Sequence, residues 1–354
     1  MPAKDHVTID QIARLASVSK ATVSRVLNEK GDVAPQTRER VEALITQLGY
    51  RPQAVATDLA RGRSNLVGLV MPSLSSPWMM EVVRGVAKRV ESSRYDLVLF
   101  TVSDRRGAER FLAETLPAGR VEGLMLILPP MGANHLKELF RSGFPLVVLD
   151  DRHRHAGIPW IKEWSEDGAF QAVQHLIAVG HRRVAFLSGN APFLCSKERY
   201  AGYRMALEEA GIELDPQLVV EGDLSEASGT RAVERWWQLP EPPTAVFAAN
   251  DLMAFGVLRG LQRLGLRVPQ DVGLVGFDDI PAASYTTPPL TTVRQPLQSM
   301  GGRAVELLID QIERGLSEPQ EVRMETQLVV RGSTLGWEGM KRQPQLASDF
   351  SGLG

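Results

Sequence analysis

Short apolar runs of strand length alternate with longer amphipathic segments over most of this 354-residue chain. Runs that are continuously apolar are typical of strands buried on both faces, as in a parallel sheet covered by helices. There are too many runs for one sheet, so the pattern predicts an α/β body of two Rossmann-like parallel-sheet subdomains. The predicted strands are LVGLVM (66–71), DLVLFTV (96–102), GLMLIL (123–128), PLVVLD (145–150), RVAFLSG (183–189), LVVEGD (218–223), AVFAAND (245–251), VGLVGFDD (272–279) and QLVVRGS (327–333).

The segments between these runs have helical periodicity. We predict helices over residues 80–93, 135–142, 169–179, 198–210, 226–237, 253–264 and 300–314. Parallel strands end at the same edge of a sheet, where open α/β sheets bind their ligands. The candidate ligand loops are therefore those after Met71, Asp150, Gly189, Asp223, Ala249 and Phe277.

The N-terminal segment from Val7 to Asn28 has the pattern of two short helices joined by a tight turn. Thr8 and Gln11 have capping-box spacing, and Ser19 can cap the second helix. The predicted apolar stripe of the first helix consists of Ile9, Ile12, Ala13 and Leu15. A third helix, with Pro35 near its start and Gly49 at its end, completes a headpiece of three helices.

The second helix of this headpiece is predicted to place Ala21 or Thr22, Val23 and Val26 near the core. Lys20, Ser24, Arg25 and Asn28 are left to face outward. A small unit with a polar, basic second helix suits the DNA major groove, as in a helix-turn-helix. The alternative is an ordinary two-helix packing unit. The charge distribution favours DNA: residues 1–64 carry ten Lys and Arg against seven Asp and Glu, while the remainder is acidic.

Composition narrows the class of protein further. The single cysteine, Cys195, excludes an internal disulfide framework. No apolar run approaches the roughly 20 residues of a membrane span, and the N-terminus lacks the apolar core of a signal peptide. We therefore expect a cytoplasmic protein, associated with the nucleoid when bound to DNA and without a membrane partner.

Four segments together resemble the lactose-repressor/galactose-repressor (LacI/GalR) family, over about residues 7–334. They are 7–28, CSKERYAGY (195–203), AVFAANDLMAFGVLRGL (245–261) and VGLVGFDDIPAASYTTPPLTTVRQPL (272–297). The resemblance implies a headpiece (5–50), a hinge helix or linker (51–64), a two-lobed periplasmic-binding-protein-like body (65–334) and a disordered tail (335–354). The implied N-subdomain is about 65–164 plus 297–324, and the C-subdomain about 165–292 plus 325–334.

The resemblance also implies the DNA contacts. Lys20, Ala21 and Arg25 match base-reading positions, although Lys20 and Arg25 could also be solvated surface side chains. Leu59 matches a leucine that wedges into the minor groove, with packing against the body or a partner hinge as the alternative. Paired hinges require a homodimer on double-stranded operator DNA. The remaining DNA-binding candidates are Thr8, Ser19, Thr22, Ser24, Asn28, Thr37, Tyr50 and Ala56.

In the body, the resemblance implies an effector site at the strand ends. The candidates are Ser73, Trp78, Asp150, Arg199, Asn250, Asp278 and Gln295. Such polar groups suit a polyhydroxylated ligand, and an aromatic ring such as Trp78 would supply the apolar wall. Trp160 and Trp164 are other candidates for that wall, with core or interface packing as the alternative for every Trp.

Two features depart from the family pattern. Leu224 stands where the lactose repressor has a tryptophan, and the segment RHRHAGIPWIKEWSED (152–167) replaces a shorter, less aromatic loop. In that segment His153 and His155 raise the alternative of a metal site with Asp150 and Asp151, but residues two apart in a loop are weak evidence. We expect no metal and no cofactor.

These expectations combine into a transcriptional repressor of carbohydrate catabolism genes, released from a pseudo-palindromic operator by a small sugar. Its effector is expected to be a plant-polysaccharide sugar, such as cellobiose or a xylose-type saccharide. The alternatives are a corepressor-dependent regulator with a non-sugar effector and a sugar-binding transport protein. An enzyme on this scaffold is not expected, because the chain lacks GxGxxG, GxxxxGK[ST] and GxSxG motifs.

Overall fold

The computed structural model describes residues 7–27, 32–50, 64–116, 119–150, 154–155, 157–190, 193–315 and 318–336. The chain forms two compact units, Met1–Ser64 and Asn65–Gly354. Several predictions lie outside the described residues: those for Asn28, Ala56, Leu59, Asp151 and His153, for residues 51–63 of the hinge and for residues 337–354 of the tail.

The first unit contains the three predicted headpiece helices, α1 (Ile9–Leu15), α2 (Lys20–Leu27) and α3 (Pro35–Leu48). The predicted capping box is present, because the Thr8 amide donates to Gln11 Oε1 (2.8 Å) and the Gln11 amide donates to Thr8 Oγ1 (3.3 Å). Ser19 Oγ accepts from the amide of Thr22 at 3.1 Å and caps α2. Gly49, with φ of 59°, ends α3 in the left-handed conformation that glycine adopts without strain.

The headpiece core corrects one sequence prediction. Leu15, placed in the apolar stripe of α1, is 60% exposed, whereas Ala16 is buried. The helical repeat of 3.6 residues puts Ile9, Ala13 and Ala16 on one face and turns Leu15 away from it. The buried core consists of Ile12, Ala13, Ala16, Val23, Val26 and Val41.

The second unit contains two six-stranded sheets. The first is wholly parallel, with strand order β11-β5-β4-β3-β1-β2. Its elements are β1 (Leu66–Met71), α4 (Pro77–Glu91), β2 (Asp96–Thr101), α5 (Arg105–Arg110) with a π turn (Phe111–Thr115), β3 (Gly123–Ile127), α6 (Ala133–Arg141), β4 (Leu146–Leu149), β5 (Trp160–Glu163), α11 (Leu297–Arg314) and β11 (Glu321–Met324).

The second sheet has the order β12-β10-β9-β8-β6-β7 and is parallel except for the antiparallel edge strand β12. Its elements are α7 (Ser165–Ala178), β6 (Val184–Ser188), α8 (Leu194–Glu209), a short 3-10 turn (Pro216–Leu218), β7 (Val219–Glu221), α9 (Glu226–Trp236), β8 (Ala245–Ala248), α10 (Asp251–Arg263), β9 (Gly273–Asp278), a second 3-10 turn (Pro281–Ser284), β10 (Thr291–Arg294) and β12 (Gln327–Val329).

Both faces of each sheet are covered, which explains why the strands are continuously apolar. In β1, Val67, Leu69 and Met71 pack into one core cluster, while Val70 packs into the cluster on the opposite face. Helices α4 and α11 approach so closely that a Cβ at Gly85 would lie 1.9 Å from the carbonyl oxygen of Gln298. The α/β body of two parallel-sheet subdomains is thus confirmed.

Three strands were not predicted from the sequence: β5, β10 and β11. The segment 152–167, treated as an unusual loop, contains β5, and α7 begins directly after it at Ser165. The apolar pattern did not predict these strands, because each is only four residues long and carries charged side chains, such as Lys162, Arg294 and Glu321. They matter because the chain passes from one sheet to the other after β5, after β10 and between β11 and β12.

Candidate functional site

Helix α2 displays the predicted base-reading side chains on the surface of the headpiece. Lys20, Ala21 and Arg25 are exposed, while Val23 and Val26 on the opposite side of the helix are buried. This division follows from the helical repeat, because the two valines anchor α2 to the core and turn the polar positions outward. An exposed helix face of this kind is compatible with insertion into a major groove.

Each of the two cations on α2 faces an acidic neighbour. Lys20 Nζ lies 3.1 Å from Asp10 Oδ2, and Arg25 Nε lies 3.5 Å from Asp32 Oδ2. All four side chains are more than half exposed. Exposed pairs of this kind contribute little stability, so phosphate or a base can replace the carboxylate at small cost.

The other described DNA-binding candidates surround α2. Thr8 and Ser19 are exposed caps, and Ser19 Oγ also lies 2.9 Å from the hydroxyl of Thr22. The structure thus gives Thr8, Ser19 and Thr22 roles within the fold that are independent of DNA. Ser24, Thr37 and Tyr50 are half-buried, and Tyr50 packs against the headpiece core. Their contacts with phosphate remain predictions.

In the body, the strand ends of the two sheets meet around a buried arginine. Arg199 lies in the second turn of α8 and is 5% exposed. Its Nη1 donates to the carbonyl of Ala249 (2.5 Å) and its Nε donates to Ser165 Oγ (3.2 Å). Its Nη2 donates to Glu163 Oε1 at 3.3 Å, and its guanidinium stacks 3.8 Å above the ring of Phe277.

An ion pair and two hydrogen bonds connect this arginine to the first subdomain. Arg199 Nη1 is 3.9 Å from Asp278 Oδ1, which accepts a 2.6 Å hydrogen bond from Gln295 Nε2. Gln295 Oε1 in turn accepts from the indole Nε1 of Trp78 at 3.2 Å. We call these six residues the interlobe cluster: Trp78, Glu163, Ser165, Arg199, Asp278 and Gln295. The cluster brings four of the seven predicted effector residues together.

The electrostatics of the interlobe cluster are dominated by burial and by an excess of acidic groups. Burial raises the pKa of Asp278 to about 7, since the opposing effects of Arg199 and the Gln295 hydrogen bond are smaller and Glu163 adds to the shift. Burial by itself would lower the pKa of Arg199, but Cys195, Asp278, Glu163 and Asp150 outweigh it and raise that pKa. Arg199 is therefore permanently charged and surrounded by carboxylates.

The remaining three predicted effector residues lie at strand ends but outside these hydrogen bonds. Asn250 caps α10, with Oδ1 accepting from the amide of Met253 (2.9 Å) and Nδ2 donating to the carbonyl of Leu224 (3.1 Å). Ser73 Oγ is 2.7 Å from Ser75 Oγ. Asp150 is buried directly after β4, with φ of 47°, close enough to influence Cys195 and Arg199.

Sequence reasoning missed Glu163, Ser165 and Cys195. Glu163 ends the unrecognised strand β5, and Ser165 begins α7 two residues later. Cys195 lies one turn before Arg199 on α8, and burial, with Asp150 adding, raises the pKa of its thiol. The available signal was a charged pair, Lys162-Glu163, within an otherwise apolar stretch of strand length.

The two tryptophans of the segment 152–167 differ in burial. Trp160, a candidate for the aromatic wall, is 1% exposed and packs in the core of the first sheet beside His155. Of the two alternatives for Trp160, core packing is the one observed, because Trp160 lies in β5 with its ring turned into the layer between sheet and helices. Trp164 is 46% exposed, and Trp78 is half-buried in the interlobe cluster.

The described residues contain no group of three or more His, Cys, Asp or Glu side chains arranged to hold a metal ion. Within the same ranges, every helix is too short or too polar to cross a lipid bilayer.

Comparison with known proteins assigns the family. Residues 8–53 match the bacterial regulatory proteins of the lacI family, and residues 173–334 match the periplasmic binding protein-like domain. The chain is 36% identical to catabolite control protein A of Priestia megaterium over 331 residues, which cover 93% of this chain and 99% of that protein.

Two solved structures have the same architecture over nearly the whole chain. One is the complex of the transcriptional regulator CelR with cellobiose, with 35% identity, a TM-score of 0.71 and coverage of 92% of this chain and 99% of that one. The other is the lac repressor dimer bound to operator and the anti-inducer ONPF, with 32% identity, a TM-score of 0.81 and coverage of 93% and 99%.

These matches define a two-part transcription factor with a DNA-binding headpiece and a small-molecule-binding body. The chain belongs to the lacI family of bacterial regulatory proteins and is a DNA-binding transcriptional regulator. The resemblance inferred from its sequence is confirmed.

Proposed function

We propose that this protein is a homodimeric repressor that leaves a pseudo-palindromic operator when a saccharide binds at the interlobe cluster. The observation that carries the proposal is the buried path from Trp78 through Gln295 and Asp278 to Arg199, which joins both subdomains. A ligand that replaces hydrogen bonds in this path changes the relative free energies of the open and closed arrangements of the lobes.

The polar composition of the interlobe cluster supports a hydroxylated effector. Carboxylate, amide and guanidinium groups provide both acceptors and donors, which sugar hydroxyls require, and the half-buried Trp78 supplies an apolar face. The CelR complex contains cellobiose, and CelR is similar to this chain over nearly its whole length. We therefore propose a plant-polysaccharide sugar, with cellobiose as the first compound to test.

The exposed face of α2 supports operator binding. Arg25 has the length and geometry to contact guanine O6 and N7, while Ala21 can contact only a methyl group. A single headpiece with one strong base reader provides limited discrimination, so a dimer on two half-sites is the arrangement we propose. The lac repressor structure, similar in sequence and fold, contains a dimer bound to operator.

We further propose that the protein acts in the cytoplasm and binds its effector without transforming it. The carboxylates that could act as an acid and a base, Glu163 and Asp278, are tied to Arg199 and Gln295. Chromatography of saccharides after long incubation with the protein should recover them unchanged, whereas any hydrolysis product would contradict this part of the proposal.

The test has two parts. An operator selected from random duplexes should bind the full-length protein with an affinity that falls steeply as salt is raised. A thermal-shift screen of mono- and disaccharides should reveal ligands that raise the apparent stability, because they bind only the folded state. A protein with neither sequence-selective DNA binding nor a stabilising saccharide would contradict the proposal.

A further inference from the structure

Glu163 is the member of the interlobe cluster whose hydrogen bonding is incomplete. It ends β5, where the chain first passes from one sheet to the other, and its side chain is 1% exposed. Oε1 accepts from the hydroxyl of Ser165 and from Arg199 Nη2. Oε2 is buried and has no hydrogen-bond partner among the described residues.

A buried carboxylate oxygen without a donor is costly, because the water it has lost is not replaced. Glu163 reaches the strand ends of the second sheet through its other oxygen, because Oε1 accepts from Arg199 Nη2 at 3.3 Å. Its charge acts on Cys195, Arg199 and Asp278, all at the carboxyl ends of the second sheet. An unpartnered acceptor at the strand ends of the two sheets is suited to a donor on a bound molecule.

Both cations of this region already have acidic partners in the protein. Three N–H groups of Arg199 bind Ser165, Ala249 and Glu163. Lys162, the neighbouring cation, is paired with Glu198. In contrast, Glu163, Asp278 and Asp150 provide three carboxylates near the single guanidinium of Arg199. A phosphate or carboxylate on the ligand would add a further negative charge to a site in which three carboxylates already surround one guanidinium.

We infer that Glu163 Oε2 accepts a hydrogen bond from an effector hydroxyl and that the interlobe site selects neutral saccharides over phosphorylated or carboxylated ones. This inference rests on the proposed function, since it names the ligand class of the same site. Glu163 has two roles in it: Oε1 positions Arg199, and Oε2 contacts the ligand.

The substitution Glu163→Gln tests the two oxygens separately. The amide oxygen can replace Oε1 toward the donors Ser165 and Arg199, which leaves an amide N–H₂ donor where Oε2 was an acceptor. Glu166→Gln is the matched control, because Glu166 is exposed in the first turn of α7 and the substitution removes the same charge.

The experiment is calorimetric titration of full-length wild-type, E163Q and E166Q proteins with neutral saccharides (cellobiose, xylobiose, glucose, xylose) and with the phosphomonoester of whichever binds most tightly. For E163Q we expect about tenfold or greater loss of affinity for the neutral saccharide, since a charge-assisted hydrogen bond is lost. E166Q should stay within about twofold of wild type. The phosphomonoester should bind wild type at least about a hundredfold more weakly than the neutral saccharide does. In E163Q the difference in affinity between the neutral saccharide and its ester should be smaller.

Equal affinity of wild type and E163Q for the neutral saccharide would overturn the role of Oε2. An ester that binds wild type as tightly as its parent would overturn the charge selection, and this arm needs no variant that could fail to fold. A wild type that binds none of the neutral saccharides would contradict the proposed function itself, which is a distinguishable result.

Discussion

The cations of the headpiece and of the interlobe cluster occupy opposite environments. The side chains of Lys20 and Arg25 are 62% and 53% exposed and have one acidic neighbour each, whereas that of Arg199 is 6% exposed and has three protein acceptors. An exposed pair exchanges its partner at little cost, but a buried charge that loses its partners is strongly unfavourable. The headpiece is thus suited to reversible contact with DNA, whereas the buried charges of the interlobe cluster are held by their contacts with one another.

The largest effect should come from removing the charge at the centre of the interlobe cluster. Arg199→Ala leaves Glu163 and Asp278 buried without their cation, so we expect a loss of about 3–5 kcal/mol of unfolding free energy. The response of operator binding to saccharide should disappear. Urea unfolding of the body and operator titrations with saccharide measure both effects.

Arg204→Ala on the exposed side of the same helix is the control for helix α8. It should change stability by about 0.5 kcal/mol or less. If Arg199→Ala were no more destabilising than Arg204→Ala, the buried ion contacts would not stabilise the body in the way described.

Next in size is the loss of the base reader. Arg25→Ala removes an exposed side chain and should leave the stability of the headpiece unchanged, because its pair with Asp32 is exposed. Operator affinity should fall by about 1–3 kcal/mol. A duplex in which the contacted base pair is substituted distinguishes base reading from phosphate contact. If Arg25 reads the base, the substitution should lower the affinity of wild type and leave the affinity of Arg25→Ala unchanged.

The interlobe cluster should also respond to pH, in a direction set by Asp278. The pKa of Asp278 is about 7 in the folded protein, against an ordinary value of 3.8. Between these two pH values the folded state keeps a proton on Asp278 that the unfolded chain has released. The contribution of Asp278 to stability therefore grows as pH falls from 7 to 4. In the proposed site ligand hydroxyls donate to the ionised form of Asp278, so saccharide affinity should rise as pH is raised.

Because Asp278 titrates near pH 7, saccharide affinity should rise about tenfold between pH 6 and pH 8. Asp278→Asn should flatten the profile as well as weaken binding. The acidic neighbours Glu163 and Asp251 and the cation Arg199 face the same carboxyl and remain in the variant. A variant with the wild-type pH profile would show that another group is responsible.

The smallest effect belongs to the exposed pair of Lys20 and Asp10. Asp10→Asn removes an acidic competitor for Lys20 and should raise affinity for DNA by about 0.2–1 kcal/mol, most clearly at low salt. Anisotropy titrations on operator and on unrelated duplex measure it. Reduced affinity for both duplexes would mean that Asp10 orients Lys20 for DNA rather than competing with it.

Particular elements show what could be predicted from the sequence. Helical spacing placed Val23 and Val26 in the headpiece core, and continuous apolar runs identified the strands that carry Asp278 and precede Asn250. These signals are local, so they are readable without tertiary structure. The resemblance to the LacI/GalR family, rather than these local signals, placed Arg199, Asp278 and Gln295 among the site residues.

The parts that could not be predicted depend on contacts between distant segments. Strand β5 carries Lys162 and Glu163, which look like surface residues in sequence, and their partners Glu198 and Arg199 follow about 36 residues later. Trp160 looked like a ligand wall because its burial depends on β4 and β11, which flank it in the sheet. The hydrogen bond between Trp78 and Gln295 joins residues 217 positions apart.

The most direct test of the account is the affinity of full-length protein for its operator with and without a saturating saccharide. We expect the saccharide to weaken operator binding by about 5–150-fold, the usual range of allosteric coupling between two sites. In Arg199→Ala the same saccharide should produce no change. A wild-type protein that binds the saccharide and yet holds its operator with unchanged affinity would contradict the central claim that the interlobe cluster controls the headpiece.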